Sequence, residues 1–221
     1  MVWELDMIKA IIFDFDGVIL ESAKIKTEAF KQVVSNYPKN IAKEFVDYHM
    51  THMGISRNVK FRYFIENILN ENYTYNKEKD LADKFAKIVY NSVLNCEFVP
   101  GAKEFLEKYY TTIDLFIATG TPTDEIFEIV EKRELKHFFK GIYGTPSSKD
   151  ELAKQIINKY GYAINEVIFV GDANTDYCAA KSNGISFVGR LTEENREVFK
   201  DIKIKINDLF DLDKYVERIN I

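Results

Sequence analysis

The sequence is poor in residues that break helices and strands or crosslink a chain. Gly occurs 10 times and Pro 4 times in 221 residues, below their usual shares of about 7% and 5%, which excludes collagen-like and low-complexity chains and favours long helices. Only Cys96 and Cys178 are present, outside any Cys-x-x-Cys or Cys/His cluster. A disulfide framework and a cysteine-based zinc site are therefore excluded, and a reducing, cytoplasmic location is expected.

Long hydrophobic runs and an excess of positive charge are also missing. The longest apolar runs, such as Ala10–Phe13, are far shorter than the roughly 20 residues that cross a bilayer, and the N-terminus lacks the basic start of a secretory signal. The formal net charge is -5, so no global basic field attracts nucleic acid or anionic lipid. We expect neither a nucleic-acid partner nor a membrane partner, and the oligomeric state stays open.

Hydrophobic residues are abundant, at 46% of the chain, and four runs of them predict buried strands. Residues 8–15 form an almost continuous apolar run rich in β-branched side chains, which is typical of a strand buried on both faces of a parallel sheet. Three similar runs alternate with amphipathic segments, at Leu115–Ala118, Val167–Val170 and Ile185–Val188. This alternation predicts an α/β fold with a doubly wound, Rossmann-like parallel sheet.

A helical insertion is predicted between the first and second strands, because residues 21–96 show helical spacing and no buried-strand run. We therefore expect an α/β core of residues 1–20 and 97–221 that is interrupted by an all-helical insertion of residues 21–96. The next helix should begin after Gly101. The predicted apolar stripes of the insertion, interpreted as hydrophobic core, are Ala29, Phe30, Val33 and Val34; Phe61, Phe64, Ile65, Ile68 and Leu69; and Leu81, Phe85, Ile88 and Val89.

The first strand ends in two acids separated by one residue, Asp14 and Asp16. Both lie on the same side of an extended strand, and paired carboxylates at the end of a buried strand repel each other unless a cation intervenes. Gly17, directly after them, allows a sharp turn and a close approach to a ligand. The alternative is that the two acids only cap the following turn. The cluster indicates a cation site.

The second buried run is followed by hydroxyl residues at a predicted helix start. Thr121 or Thr123 is suited to cap that helix, with Pro122 in its first turn. Thr119 and the amides of Gly120 and Thr121 would then lie at a positive helix N-terminus, where an anion is favoured.

A third cluster opens another helix. Ser148 and Glu151 have the spacing of a capping box, which places Lys149 at the first helical position. A cation is unfavourable there, so Lys149 indicates an anionic partner, with an ordinary solvated lysine as the alternative.

The fourth cluster again places acids after a buried strand, with Asp172 directly after Gly171 and Asp176 four residues further on. Asp176 is either a helix-start residue or part of a site. Ligands of open α/β sheets bind outside the carboxyl ends of the strands, and all four clusters fall there or at adjoining helix starts.

These clusters, in this order, resemble the haloacid dehalogenase superfamily of phosphotransferases. The resemblance rests on the D-x-D-G-V of Asp14–Val18, the T-G at Thr119, Lys149, and the G-D-x-x-x-D of Gly171–Asp176. It covers nearly the whole chain, and the helical insertion matches the family's cap. The chain is most similar in pattern to the phosphoglycolate phosphatase and β-phosphoglucomutase-like members.

The resemblance implies a phosphoric monoester hydrolase with an acidic site and a magnesium cofactor. Asp14 would be the nucleophile that forms an aspartyl-phosphate, and Asp16 the general acid and base. The Asp14 and Asp172 carboxylates and the backbone carbonyl of Asp16 would bind Mg²⁺. Asp176 would orient the metal waters or Lys149.

The remaining core residues would hold the substrate, a small phosphorylated sugar or organic acid. By the resemblance, Thr119 and Lys149 contact the transferring phosphoryl oxygens, and the amides of Gly120 and Thr121 bind the same group. An acid at position 16 argues against a true dehalogenase, so phosphate ester chemistry is favoured.

Three features of the cap region carry weaker expectations. The stretch Gly54–Arg57 looks like a loop with which related enzymes contact the distal end of the substrate, so Arg57 is either an anion clamp or an exposed helix-start arginine. His49 and His52 are either a metal pair or ordinary cap residues. Glu21 stands where relatives often have Asp, and its role stays open.

Two other functions compete with a phosphatase. A β-phosphoglucomutase-like phosphomutase would use the same residues, although the Gly171–Asp172 pair is the phosphatase form and mutases of this type usually carry Glu-Asp there. A non-catalytic phosphoryl-binding regulator, such as a receiver-type signalling domain or a silent scaffold, is disfavoured by the cluster order and by the large helical insertion.

Overall fold

The computed structural model describes residues 7–219 and shows a six-stranded parallel sheet. The strand order is β3-β2-β1-β4-β5-β6, so the chain winds outwards in both directions from β1. Residues 1–6 and 220–221 of the predicted core segments lie outside the described residues. The strands are β1 Ala10–Phe13, β2 Asp114–Pro122, β3 Gly141–Thr145, β4 Val167–Gly171, β5 Ser186–Arg190 and β6 Ile204–Ile206.

Helices connect the strands and cover both faces of the sheet. Ile11 and Phe13 of β1 pack into the apolar core on one face, and Ala10 and Ile12 into the core on the other, as the alternation of side chains along a strand requires. The predicted doubly wound α/β fold is confirmed. The helices are α1 Ala23–Val33, α2 Lys39–Thr51, α3 Arg57–Tyr63, α4 Tyr75–Asn95, α5 Ala102–Tyr109, α6 Thr123–Lys132, α7 Lys149–Tyr160, α8 Asn174–Asn183 and α9 Leu209–Ile219.

Two strands of the sheet were absent from the sequence expectations. The edge strand β3 contains two glycines and is only partly buried, and β6 has three residues, of which Lys205 is exposed. Neither segment has the continuous apolar run of a strand buried on both faces, so the hydrophobic pattern predicts neither strand.

The segment between β1 and α5 is helical, with α1 to α4 packed around an aromatic cluster. The ring centroid of Phe45 lies 5.8 Å from that of Phe30, 5.6 Å from that of Phe61 and 4.7 Å from that of Phe64. The residues of the three predicted stripes are buried, except Leu69 and Ile88, which are partly buried. No helix within residues 7–219 has the length and apolar character needed to span a membrane.

The predicted helix start after Gly101 is confirmed, because α5 begins at Ala102. Gly101 has φ 79°, and a Cβ there would lie 2.6 Å from the backbone nitrogen of Phe210. The close approach of α9 therefore requires glycine at this position.

Phe45→Ala should destabilise the protein strongly, because Phe45 has no exposed surface and its removal leaves a cavity among the packed rings. We expect a loss of about 3–5 kcal/mol in the free energy of unfolding, measured by urea denaturation. Phe127→Ala is the control, since Phe127 is 39% exposed and should change stability by about 0.5 kcal/mol or less. Equal losses in the two variants would contradict the central place of Phe45 in the cluster.

Candidate active site

Three of the four predicted clusters meet at one lysine at the carboxyl edge of the sheet. Asp14 follows β1, Asp172 follows β4, and Lys149 is the first residue of α7. The Nζ atom of Lys149 lies 2.7 Å from Oδ2 of Asp14 and 2.6 Å from Oδ1 of Asp176. All four side chains are buried. Lys149 is therefore a structural partner of both acids, and not a solvated lysine.

The acids outnumber the cation at this point. Carboxylate oxygens of Asp14, Asp172 and Asp176 lie within 4.8 Å of one another. Burial and the charges of Asp14 and Asp176 raise the pKa of Asp172 well above its usual range. Burial also raises the pKa of Asp176 to about 7, even though Lys149 opposes the rise. Lys149 is itself buried, yet the two acids around it hold its pKa above the ordinary value.

The residues present fit a divalent cation. Oδ2 of Asp172 is buried and has no hydrogen-bond partner among the described residues, and a Cβ on Gly17 would lie 2.1 Å from that oxygen. Gly17, at φ 75°, therefore keeps open the space beside an unpartnered carboxylate oxygen. Oxygen donors of this kind are the ligands that Mg²⁺ prefers.

The second acid of the first cluster points away from this group. Asp16 accepts hydrogen bonds from Ser22 Oγ at 2.5 Å and Thr121 Oγ1 at 3.3 Å, and it forms an ion pair with Lys26. Burial tends to raise the pKa of Asp16, but the charge and hydrogen bond of Lys26 and the hydroxyl of Ser22 bring it below the usual value. The two acids therefore have separate surroundings, as separate chemical roles require.

The second cluster ends a strand, and the helix-start prediction for it is wrong in detail. Strand β2 continues to Pro122, which occupies the N-cap position of α6, and Thr123 is the first helical residue. Proline disfavours helical geometry in the residue before it, so Thr121 stays extended and does not cap the helix. The amide of Thr121 donates to Thr119 Oγ1 at 3.2 Å, which fixes the Thr119 hydroxyl beside Gly120.

The predicted capping box of the third cluster is confirmed. The Ser148 amide donates to Glu151 Oε2 at 2.9 Å, and α7 begins at Lys149. Asp176 of the fourth cluster caps the start of α8 in a similar way, because its Oδ2 accepts from the Ala173 amide at 3.0 Å.

The loop Gly54–Ser56 brings the cap against the sheet edge. A Cβ on Gly120 would lie 2.7 Å from the carbonyl oxygen of Gly54, and a Cβ on Gly54 would lie 2.0 Å from Thr175 Oγ1. Both glycines are therefore needed for the contact between the helical segment and the strand ends. This contact helps to enclose a cavity that is lined by Asp14, Asp16, Thr119, Lys149 and Asp172 from the sheet side.

Arg57 lines the same cavity and is not an exposed arginine. Its NH1 and NH2 groups donate to Glu125 Oε1 and Oε2 at 3.0 and 2.6 Å, and both side chains are largely buried. The guanidinium already holds a bidentate carboxylate of its own chain, so the exposed alternative is wrong.

His49 and His52 have separate partners. His49 Nδ1 lies 2.8 Å from Lys60 Nζ and His49 Nε2 lies 3.0 Å from Thr27 Oγ1. His52 Nδ1 lies 2.8 Å from the carbonyl oxygen of Tyr48. These contacts are those of ordinary cap residues and do not form a metal pair.

Glu21, whose role was open, is held by an arginine of β5. Arg190 NH2 and NH1 donate to its carboxylate at 2.5 and 3.1 Å, and NH1 also donates to the carbonyl oxygen of Gly17 at 3.1 Å. Arg190 therefore ties the start of the helical segment to the turn that follows β1.

Sequence reasoning missed Lys26, Lys60 and Arg190. Lys26 carries a usable signal, because Ser22 and Lys26 are four residues apart at the start of a helix that directly follows the first acid pair. Lys60 and Arg190 carry none, since each is surrounded by residues distant in sequence.

Comparison with known proteins identifies the family. The family model of haloacid dehalogenase-like hydrolases matches residues 11–190. The chain belongs to this family.

Two curated relatives are phosphatases by name. A phosphorylated carbohydrates phosphatase of Thermotoga maritima is 26% identical over 183 residues, covering 80% of this chain and 82% of the relative. A phosphoglycolate phosphatase of Vibrio parahaemolyticus is 25% identical over 192 residues, covering 82% and 83%. The family and these relatives support a phosphoric monoester hydrolase, the enzyme class that the sequence predicts.

A solved structure shows the same fold. The β-phosphoglucomutase of Clostridium difficile superposes with a TM-score of 0.78 at 18% identity, covering 97% of both chains. At this identity the likeness concerns the fold alone.

Mg²⁺ should raise the melting temperature of the wild-type protein, because an ion that binds only the folded state stabilises that state. At an ion concentration of 100 times the Kd, the free energy of unfolding rises by about 2.7 kcal/mol. Asp172→Asn removes a charged ligand and should abolish most of that increase. Differential scanning fluorimetry across a Mg²⁺ titration measures it. Asp83→Asn, at an exposed acid on α4, should keep the wild-type increase. No increase in the wild type, or the same increase in Asp172→Asn, would contradict the cation site.

Proposed function

We propose that this protein is a Mg²⁺-dependent phosphatase that hydrolyses a small phosphate monoester, a sugar phosphate or a phosphorylated organic acid, through an aspartyl-phosphate on Asp14. The observation that carries the proposal is the buried Asp14–Lys149–Asp176 ion-pair group beside the unpartnered oxygen of Asp172. This arrangement lies in a cavity at the carboxyl edge of the sheet, where α/β proteins bind ligands.

Asp14 is oriented for nucleophilic attack. Its Oδ1 accepts from the Phe15 amide at 2.7 Å, and its Oδ2 faces Lys149. In the first step a carboxylate oxygen of Asp14 attacks phosphorus and the bond to the leaving oxygen breaks. Asp16 has to enter this step protonated, whereas in the substrate-free site the ion pair with Lys26 favours its anion. It donates the proton to that oxygen, so an alcohol leaves and the phosphoryl group stays on Asp14.

Asp16 then reverses its role. Its carboxylate takes a proton from a water molecule, whose oxygen attacks phosphorus and breaks the bond to Asp14. Inorganic phosphate leaves, and both acids return to their starting states. Ser22, Thr121 and Lys26 hold Asp16 for this task.

The other site residues bind the charge of the phosphoryl group. The Asp14 and Asp172 carboxylates and the Asp16 carbonyl would hold Mg²⁺, which supplies positive charge opposite the phosphoryl oxygens. Lys149, the Thr119 hydroxyl and the Gly120 amide bind the same oxygens. The Thr121 amide donates to Thr119 Oγ1 and would have to leave that acceptor to join them. Asp176 positions Lys149.

A phosphatase is favoured over a mutase by the crowding at Gly171. A Cβ there would lie 2.2 Å from the Cβ and 2.4 Å from the Cγ of Asp176, so the Glu-Asp pair of mutases would displace the acid that holds Lys149. The names of the curated relatives support a small phosphorylated substrate.

The proposal includes the division of the chain. We assign residues 1–20 and 97–221, of which 7–20 and 97–219 are described, to the catalytic core and residues 21–96 to the cap, whose loop at Gly54 lies against Gly120. Two cysteines without a disulfide support a reducing, cytoplasmic location.

Asp14→Asn should abolish phosphate release, by about 10⁴-fold or more, because an amide oxygen is a poor nucleophile for phosphorus. Asp16→Asn should slow turnover by about 10²- to 10⁴-fold, since it can neither donate nor accept the proton. Phosphate release from a panel of sugar phosphates, phosphoglycolate and nucleotides, with and without Mg²⁺, measures both.

Asp47→Asn, at an exposed acid on α2, is the control and should keep wild-type rates. Near-normal rates in either active-site variant would refute the corresponding role, and release that ignores Mg²⁺ would refute the cofactor.

A further inference from the structure

Four cationic side chains line the cavity, and three of them already face a carboxylate. Lys149 is paired with Asp14 and Asp176, Lys26 with Asp16, and Arg57 with Glu125. The fourth, Lys60, has no ion pair among the described residues. Lys60 is thus the cation of the cavity wall whose charge this chain leaves unbalanced.

Lys60 lies on α3 and is only 2% exposed. Its Nζ is 5.0 Å from the ring centroid of Phe30, and Phe85 lines the same cavity. An unpaired ammonium in such surroundings is costly. Burial, with the charges of Lys26 and Lys149, lowers the pKa of Lys60 to about 7. An apolar side chain at this position would cost less free energy to bury. The presence of an amine therefore indicates that it binds a ligand.

The hydrogen bonds around His49 leave Lys60 with spare donors. The Thr27 hydroxyl donates to the carbonyl oxygen of Ala23 at 3.2 Å, so Thr27 Oγ1 accepts from His49 Nε2. His49 Nδ1 then carries no proton and accepts from Lys60 at 2.8 Å. Burial lowers the pKa of His49 to about 3, consistent with a neutral ring. A protonated lysine has three N–H donors, and two of these have no acceptor among the described residues.

We propose that Lys60 is a specificity-determining residue that binds a second anionic group of the substrate, at the end remote from the transferred phosphoryl group. The inference rests on the proposed function. The ligand class is a phosphate monoester that carries a second negative group, either a carboxylate or another phosphate. Arg57 does not serve first, because Glu125 balances its charge and accepts from its NH1 and NH2 groups; its buried Nε has no partner among the described residues.

A substrate with a neutral distal end would leave the spare N–H donors of Lys60 unpaired. A site built to donate hydrogen bonds to a charged group discriminates against an analogue that lacks the group, because its buried donors then stay unpaired. An anionic end also stabilises the protonated form of Lys60. Substrate binding therefore relieves the cost of the buried amine.

The test compares two substrates of the same length, 3-phosphoglycerate and glycerol 1-phosphate, which differ in a carboxylate against a hydroxymethyl group. Fructose 1,6-bisphosphate supplies the second phosphate. The wild type should prefer the anion-ended substrates by about 10- to 100-fold in kcat/KM. Lys60→Met should remove this preference through a higher KM for those substrates, with a much smaller effect on kcat/KM for glycerol 1-phosphate. Lys60→Arg should restore part of the preference.

The control is Lys43→Met, which removes a cap cation at an exposed position on α2 and should keep the preference. Thermal unfolding checks that Lys60→Met still folds cooperatively, because this change also takes the hydrogen-bond donor from His49 Nδ1. Equal losses for all substrates in Lys60→Met would show a structural role and overturn the inference. A wild type that hydrolyses glycerol 1-phosphate as well as the anion-ended substrates would overturn it too and leave the phosphatase intact. No release from any phosphate ester would overturn the proposed function itself.

Discussion

The ion pairing of Lys149 with Asp14 and Asp176 is the interaction on which the rest of the site depends. Three carboxylates buried within 4.8 Å of one another repel strongly where water is excluded. Lys149 offsets part of that repulsion and joins the end of β1 and the first turn of α8 to the start of α7. Burial and the neighbouring acids disfavour the anion of Asp172 and raise its pKa. A cation beside its unpartnered oxygen would relieve that cost.

Because the sheet is parallel, a small number of residues is enough to form the site. Strands β1, β2 and β4 are neighbours, so their carboxyl ends bring Asp14, Thr119 and Asp172 together without long loops. The helical segment adds the opposite wall of the cavity. Lys26 reaches Asp16 from α1, and the Gly54 loop touches Gly120. Asp16, the acid and base of the proposed reaction, is therefore held partly by a helix of the cap.

Much of this arrangement is readable from the sequence, because it rests on local patterns. The buried runs predict β1, β2, β4 and β5, and the capping box at Ser148 places Lys149 correctly. The sequence pattern does not predict the short strand β6 or the glycine-containing β3, since these edge strands lack a continuous apolar run. The extended conformation of Thr121 follows from Pro122, a constraint that outweighs the capping preference of threonine.

The contacts of Lys26, Lys60 and Arg57 are beyond the reach of sequence reasoning, because helical periodicity shows which face of a helix is apolar but not what lies across from it. Lys60 interrupts a largely apolar environment, and its partner His49 comes from another helix. The pairing of Arg57 with Glu125 joins residues 68 positions apart. Such pairs are determined by the packing of the cap on the core.

The most direct test of the central claim is to trap the phosphoryl group on Asp14. Wild-type protein is mixed with a substrate that it hydrolyses and is then quenched with borohydride. Borohydride reduces an aspartyl-phosphate to homoserine, and peptide mass spectrometry locates that residue. We expect homoserine at position 14 and at no other acid of the site. Rapid phosphate release with no reduction at position 14, or with reduction at Asp16 or Asp172 instead, would contradict the role of Asp14 as the nucleophile.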